Sequence, residues 1–254
     1  LADQPRGVVT VIHGLGEHSG RYQALAEAMT TRGWSCYGVD LRGMGRSPGR
    51  RGHISSWQQW IDDASAFHQM VCQENPDLEV VPLGHSFGGV VLITAILAEA
   101  IRPERFVLTN PALRSCLKVP GWKLRLGRIA NRLLPALTLP SGAEPELDSR
   151  DPQVVEEIRQ DPLGHPWISA RLHAEWSDAC ELALNRAAEI KTPYLLILSG
   201  DDALIDASTG QEFSARSNCS QVVSLYPGRF HAPFIDLGSE EVFADLSEWL
   251  INHA

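Results

Sequence analysis

Short apolar runs rich in β-branched residues recur along the chain, and most are followed by a segment whose apolar residues have helical spacing. The runs are residues 8–12 (VVTVI), 35–40 (SCYGVD), 78–83 (LEVVPL), 105–110 (RFVLTN), 194–200 (YLLILSG) and 221–228 (QVVSLYPG). Helical patterns cover 22–32, 57–74, 89–100 and roughly 239–251; in 57–74, Trp57, Ile61, Ala64, Phe67, His68 and Val71 fall on one side. Strands that alternate with helices pair in parallel, because each crossover helix carries the chain back across a sheet face. The pattern therefore predicts an α/β fold: a mostly parallel central sheet with helices on both faces. At 254 residues the chain can bury one core of this size. Pro82, inside the third run, is expected to cost that strand one ladder hydrogen bond.

The alternation breaks between about 112 and 190, a stretch that reads as helices and turns without a clear strand. An insertion of this size is expected to be a helical cap at residues 112–190, over a core made of 1–111 and 191–254. The net charge of −9 argues against a nucleic-acid partner, which needs a basic surface. Five cysteines, odd in number and without a C-x-x-C pair, read as free thiols. No run approaches the ~18 apolar residues of a membrane span. The N-terminus lacks a signal pattern and a Met, so a segment upstream of residue 1 is one expectation, and a cytoplasmic location, peripheral to membranes, another.

In open α/β sheets, sites lie beyond the carboxyl ends of the strands. Those ends carry His13-Gly14, Asp40, Ser86, Asp201-Asp202 and, after the last run, His231. G-x-S-x-G alone is a weak signal, but Gly84-His85-Ser86-Phe87-Gly88 lies between a strand and a helix pattern. That is the context of a nucleophile elbow, a turn so tight that the glycines flanking it, two positions either side of the serine, must lack side chains. A serine hydroxyl needs a base to take its proton, and the base needs a carboxylate to orient it. In this architecture the chain order is Ser, acid, His. Of the nine histidines, His18, His53, His68, His165 and His173 precede the last carboxylate cluster, and His253 lies on the tail after the final helix. His13 and His85 sit beside the elbow, where they can tune geometry. His231, in the Gly/Pro loop YPGRFHAPF, is the candidate base. Spacing alone leaves Asp201 and Asp202 as rival acids. An oxyanion needs two N–H donors; the candidates are the amides of Phe87, after the serine, and Leu15, in the glycine-containing loop after the first strand.

The stretches HGLGEHSGRY, DLRGMGRSPGRRG, GHSFGG, TPYLLILSGDDALID and YPGRFHAPF, with LDSRDPQVVEEIRQDPLGHPWISARL in the cap, resemble the monoacylglycerol lipase family of serine α/β-hydrolases, in order over nearly the whole chain. The resemblance implies the α/β-hydrolase fold, no cofactor or metal, Ser86 as nucleophile and His231 as base. It favours Asp202 over Asp201, because Asp202-Ala-Leu-Ile-Asp206 matches the family's D-x-x-x-D, with Asp206 in support. Three departures stand out. Met44 replaces the His of RGHG, which removes any polar network through that ring. Phe87 replaces a common Met, and its ring is expected to narrow the acyl entrance. The seven residues before Val8 cannot hold the antiparallel strand pair that family members carry there.

The cap stretch 119–139 repeats Trp122, Leu126, Ile129 and Leu133 at helical spacing, beside Arg125, Arg128 and Arg132. An apolar face flanked by a basic one suits an interfacial helix; it equally suits a helix packed on the core with its arginines in water. On the first reading Leu113, Trp122, Leu126 and Ile129 line an acyl path. The expected partners are a small lipid-like ester and, transiently, lipid aggregates or a membrane surface touched through the cap. Monoacylglycerols or similar medium- to long-chain monoesters are the expected substrates. The alternatives are a general carboxylesterase on short or aromatic esters, a lysophospholipase, and a non-catalytic scaffold.

Overall fold

The six apolar runs form one sheet in a computed structural model that describes residues 1–252; His253 lies outside the described residues. The strands are β1 (Gly7–Ile12), β2 (Trp34–Val39), β3 (Val80–His85), β4 (Phe106–Thr109), β7 (Tyr194–Ser199) and β8 (Gln221–Tyr226). Two further strands, β5 and β6, come between β4 and β7. The order across the sheet is β2-β1-β3-β4-β7-β8, and each of its pairings is parallel. β1, β3 and β7 are buried throughout, which explains why their sequences are mostly apolar.

Helices α1 (Gln23–Thr31), α2 (Gln58–Glu74), α3 (Phe87–Leu97), α7 (Ala207–Arg216) and α8 (Ser239–Asn252) cover the two faces. On one face Leu25, Met29, Trp34, Phe243, Leu246 and Leu250 join a single apolar cluster; on the other Trp57, Trp60, Phe87 and Phe213 belong to a larger one. Trp60 is fully buried beside the expected face of α2, and periodicity alone did not single it out. β3 runs on through Gly84 and His85, two residues past its apolar run, because their backbones still pair with β4.

The rung that Pro82 is expected to lose falls on the β4 side. Val8 N–H donates to Glu79 O and Ser86 N–H to Thr109 O. Amides of a parallel strand alternate between its neighbours, so the even positions of β3 address β4. The β4 ladder starts at Leu83–Val107, directly after Pro82, where a residue without an N–H cannot extend it.

Between β4 and β7 the chain forms α4 (Gly121–Leu133), β5 (Thr138–Pro140), α5 (Pro152–Gln160), β6 (Trp167–Ser169) and α6 (Ala170–Asn185). The sequence suggested no strand here, yet β5 and β6 form a small antiparallel pair. Three residues each, with a proline ending β5, are too few for a period to register. The helix α6 packs on α3, and its Trp176 Nε1 and Cys180 Sγ both donate to Ala112 O, at 3.2 Å each. α4 differs: none of its residues is buried, and Trp122, Leu126, Ile129 and Leu133 are 54–74% exposed. Its apolar stripe therefore does not pack on the core. No helix among the described residues is long and apolar enough to cross a membrane.

Candidate active site

Ser86 occupies the junction of β3 and α3 with φ 51° and ψ −117°, a left-handed conformation costly for any residue with a Cβ. The sequence permits the turn through its flanking glycines. A Cβ on Gly84 would lie 2.7 Å from Gly88 O, and one on Gly88 would overlap the carbonyl oxygens of Ile12 and His13. Two backbone bonds lock the turn: Ser86 N–H to Thr109 O (2.9 Å) and Ala112 N–H to Ser86 O (2.9 Å). The amide of Phe87 is the first of α3, and the first amides of a helix have no intrahelical acceptor. Positive potential at that helix end favours an anion there.

His231 Nε2 lies 2.8 Å from Ser86 Oγ, and His231 Nδ1 lies 2.6 Å from Asp202 Oδ2. The carboxylate fixes the tautomer: Nδ1–H donates to Asp202, which leaves Nε2 free to accept the Ser86 hydroxyl proton. Asp202 Oδ1 also accepts the amides of Leu204 and Ile205, at 2.9 Å each, so the carboxylate is immobilised. Of the two rival acids, Asp202 is the one brought to His231. Asp201 is exposed, and its amide donates to Arg229 O. Asp206, assigned a supporting part, instead caps α7 by accepting the Ser208 amide at 3.0 Å.

The loop after β1 runs against the elbow. A Cβ on Gly14 would approach Ser86 Cβ to 3.3 Å, so the stretch carrying Leu15 adjoins the serine. Glu17 secures that loop. Its buried Oε1 accepts the Gly14 amide and the Tyr22 hydroxyl (2.7 Å). Sequence reasoning passed over Glu17; its position three residues after Gly14 was the available signal.

Phe87 does not narrow an entrance. Its ring is fully buried, edge-on to Trp57, Trp60 and Trp176 at centroid distances of 4.9–5.7 Å. Met44 joins the same apolar cluster and is fully buried, at the position where the related motif has a histidine. Leu113 is buried in that cluster, whereas Trp122, Leu126 and Ile129 face away from the core on α4. Among the described residues no group of three or more His, Cys, Asp or Glu is placed to hold a metal ion.

Burial disfavours charge on His231, but the carboxylates of Asp202, Asp148 and Glu17 outweigh it and raise its pKa above the ordinary histidine value. His85, its ring 5.0 Å from that of His231, is pushed down to about 4 by burial and by His231 itself. It stays neutral, bonded to Thr109 Oγ1 at 2.6 Å. Asp148, which no sequence motif singles out, is pushed up to about 6, chiefly by burial. A carboxyl raised in the fold loses stability as pH climbs from its unfolded value through about 6. Asp148→Asn is therefore expected to raise Tm at pH 8, by up to about 3 kcal/mol of stability, and to change nothing below pH ~4. The same variant removes a negative charge facing His231, so the acid limb of kcat/KM is expected to move to lower pH. Thermal melts and rate profiles across this range check both; an unmoved limb would show that Asp148 does not act on His231.

The model of the Hydrolase_4 family, described as serine aminopeptidase, S33, matches residues 3–238. The chain belongs to that family. This family member is 28% identical to a monoacylglycerol lipase of Mycolicibacterium smegmatis, over 98% of the chain and 89% of that protein. It is 31% identical to the phospholipase YtpA of Bacillus subtilis, over 95% of the chain and 94% of that protein. It spans 26% of a longer abhydrolase domain-containing protein of Dictyostelium discoideum, at 32% identity over 97% of the chain. The crystal structure of Paleococcus ferrophilus monoacylglycerol lipase superposes with a TM-score of 0.88 at 31% identity, covering 100% of this chain and 97% of that one. The protein is thus a serine hydrolase of the α/β-hydrolase fold.

Proposed function

We propose that this carboxylic ester hydrolase cleaves monoacylglycerols or similar medium- to long-chain monoesters through an acyl-enzyme. Ser86 Oγ attacks the ester carbonyl while His231 Nε2 takes its proton and Asp202 steadies the resulting imidazolium. The amides of Leu15 and Phe87 receive the developing oxyanion. Collapse expels the alcohol, which takes its proton from His231. Water activated by the same imidazole then releases the fatty acid. The observation that carries the reading is the continuous Asp202–His231–Ser86 hydrogen-bond chain in a strained elbow. The substrate class is supported by the similarity to monoacylglycerol lipases from two organisms. The second reading, hydrolysis of a phospholipid or lysophospholipid, is supported by the likeness to phospholipase YtpA.

We take residues 112–190 as a cap whose α4 touches lipid. The stretch 112–143 carries six basic residues, Arg114, Lys118, Lys123, Arg125, Arg128 and Arg132, and no acidic one, within a chain of net charge −9. Such a basic, apolar, exposed helix suits an anionic lipid surface. Each buried CH₂ of an acyl chain contributes about 0.8 kcal/mol at most, so kcat/KM is expected to rise by orders of magnitude from acetyl to octanoyl esters. Rates for acetyl, octanoyl and palmitoyl p-nitrophenyl esters, 1-monoacylglycerol, lysophosphatidylcholine and triacylglycerol test this. A maximum at acetyl with monoacylglycerol untouched would favour a general carboxylesterase. The double substitution Trp122→Ser and Leu126→Ser is expected to lower turnover of monoacylglycerol in anionic vesicles and leave soluble short esters unchanged.

A further inference from the structure

His231 sits in a twelve-residue connection between β8 and α8, and β8 is the outermost strand, with Val222, Val223 and Leu225 exposed. A loop hung from a sheet edge is intrinsically mobile, yet its imidazole must hold hydrogen-bond geometry to both Ser86 and Asp202. We propose that Asp236, held by Arg150 of the inserted segment, is a positioning residue for His231. The inference rests on the reading of His231 as the base.

Three sets of contacts point to this. The Asp236 carboxylate is fully buried, and its Oδ2 accepts the amide of Phe230, the residue before His231, at 3.0 Å. Arg150 then grips the same carboxylate: its amide reaches Oδ1 at 2.8 Å and its Nε reaches Oδ2 at 2.9 Å. A further guanidinium nitrogen donates to Leu237 O at 2.6 Å. Finally, the segment before Arg150 is sewn to the loop directly. His231 N–H donates to Leu147 O (3.2 Å), Ala232 N–H to Asp148 O (2.9 Å) and Ser149 Oγ–H to Ile235 O (3.1 Å). From the other side Asn110, at the end of β4, donates to His231 O at 2.7 Å. Burial opposes the charge on Asp236, but the donors from Arg150, Phe230 and Leu237 keep its carboxyl below the ordinary range. It is therefore ionised at neutral pH. Within the inserted segment, α4, with no buried residue, thus differs from a strap at 147–150 that belongs to the support of the base.

A salt bridge that only held the fold together would change the melting midpoint and leave turnover intact. A positioning residue changes kcat. A displacement of about 1 Å in a catalytic group can cost ~100-fold. Asp236→Asn and Arg150→Ala are therefore expected to lower kcat on a soluble butyryl ester 10- to 100-fold, with KM changed less than about 3-fold. Arg150→Lys, which restores the charge without the fork, should regain part of the loss. The charged and titratable groups facing His231 are Asp202, Asp148, Glu17 and His85. A loosened imidazole loses part of its contact with Asp202, so the acid limb of kcat should also fall in pH. Removing one partner of a buried pair is destabilising, so rates are taken well below each variant's melting midpoint. If Asp236→Asn does not fold, Arg150→Lys carries the test through its kcat against its KM. His231→Ala is measured alongside. Activity surviving in it would overturn the reading of His231 as base, and the positioning role with it. An inactive His231→Ala beside a wild-type kcat in Asp236→Asn and Arg150→Ala, or a loss confined to KM, would overturn the positioning role alone.

Discussion

Ser86→Ala is expected to lower kcat on p-nitrophenyl octanoate by about 10⁶, because loss of a nucleophile removes the covalent path and leaves only binding and oxyanion stabilisation. The fold should survive. The strain at φ 51° is set by the flanking glycines and by the bonds of the Ser86 backbone to Thr109 and Ala112, all of which alanine retains. The side chain gives up one hydrogen bond, from Ser86 Oγ to His231 Nε2, a loss of about 1 kcal/mol. The melting midpoint should stay within a few degrees of wild type, and labelling by a fluorophosphonate should vanish. Residual turnover near wild type would move the nucleophile elsewhere and with it the whole reading of the site.

The parts of the fold that sequence made legible are those where a single physical demand fills several consecutive positions. β1, β3 and β7 are buried on both faces, so nearly every residue had to be apolar. The elbow announced itself because two glycines and a serine at fixed spacing meet a steric requirement that other residues cannot. The acid was less legible: Asp201 and Asp202 are adjacent, and only the fold decides which one turns inward. The burial of Asp148 and Asp236 left no trace in sequence, since each owes its environment to contacts 80 or more residues away, Asp148 with the His231 loop and Asp236 with Arg150. α4 was legible as amphipathic but not as exposed. The same stripe of Trp122, Leu126, Ile129 and Leu133 would serve a core-packed helix equally well, and nothing local distinguishes the two.

The substitutions that set this chain apart from the motif it resembles have a common physical outcome. Met44 and Phe87 both enter one apolar cluster with Trp57 and Trp60, and the Phe87 ring packs edge-on against both tryptophans. Phe87 contributes its backbone amide on one side and a fully buried ring on the other. If the Phe87 amide is the oxyanion donor proposed above, its buried ring ties that donor to the rigid core and holds it in place before substrate arrives.

Asn at 202 is expected to lower kcat by about 10⁴, and Asn at 201 by less than about 3-fold. The argument turns on which nitrogen of His231 carries the proton. Asp202 Oδ2 accepts Nδ1–H at 2.6 Å, and its Oδ1 is committed to the amides of Leu204 and Ile205. In Asp202→Asn, the oxygen of the new amide is drawn to those two backbone donors, and its NH₂ is left facing Nδ1. The imidazole must then put its proton on Nε2, where it points at Ser86 and cannot accept the hydroxyl proton. The carboxylate that does most to raise the His231 pKa is also gone, so the acid limb of whatever activity remains should fall to lower pH. Asp201 has neither role: it is exposed and meets the loop only through its main chain. Single-turnover rates for both variants on one ester, followed from acid to neutral pH, decide the matter. A large loss in Asp201→Asn with Asp202→Asn near wild type would transfer the orienting part to the exposed carboxylate and show that the Asp202–His231 bond is not the working one.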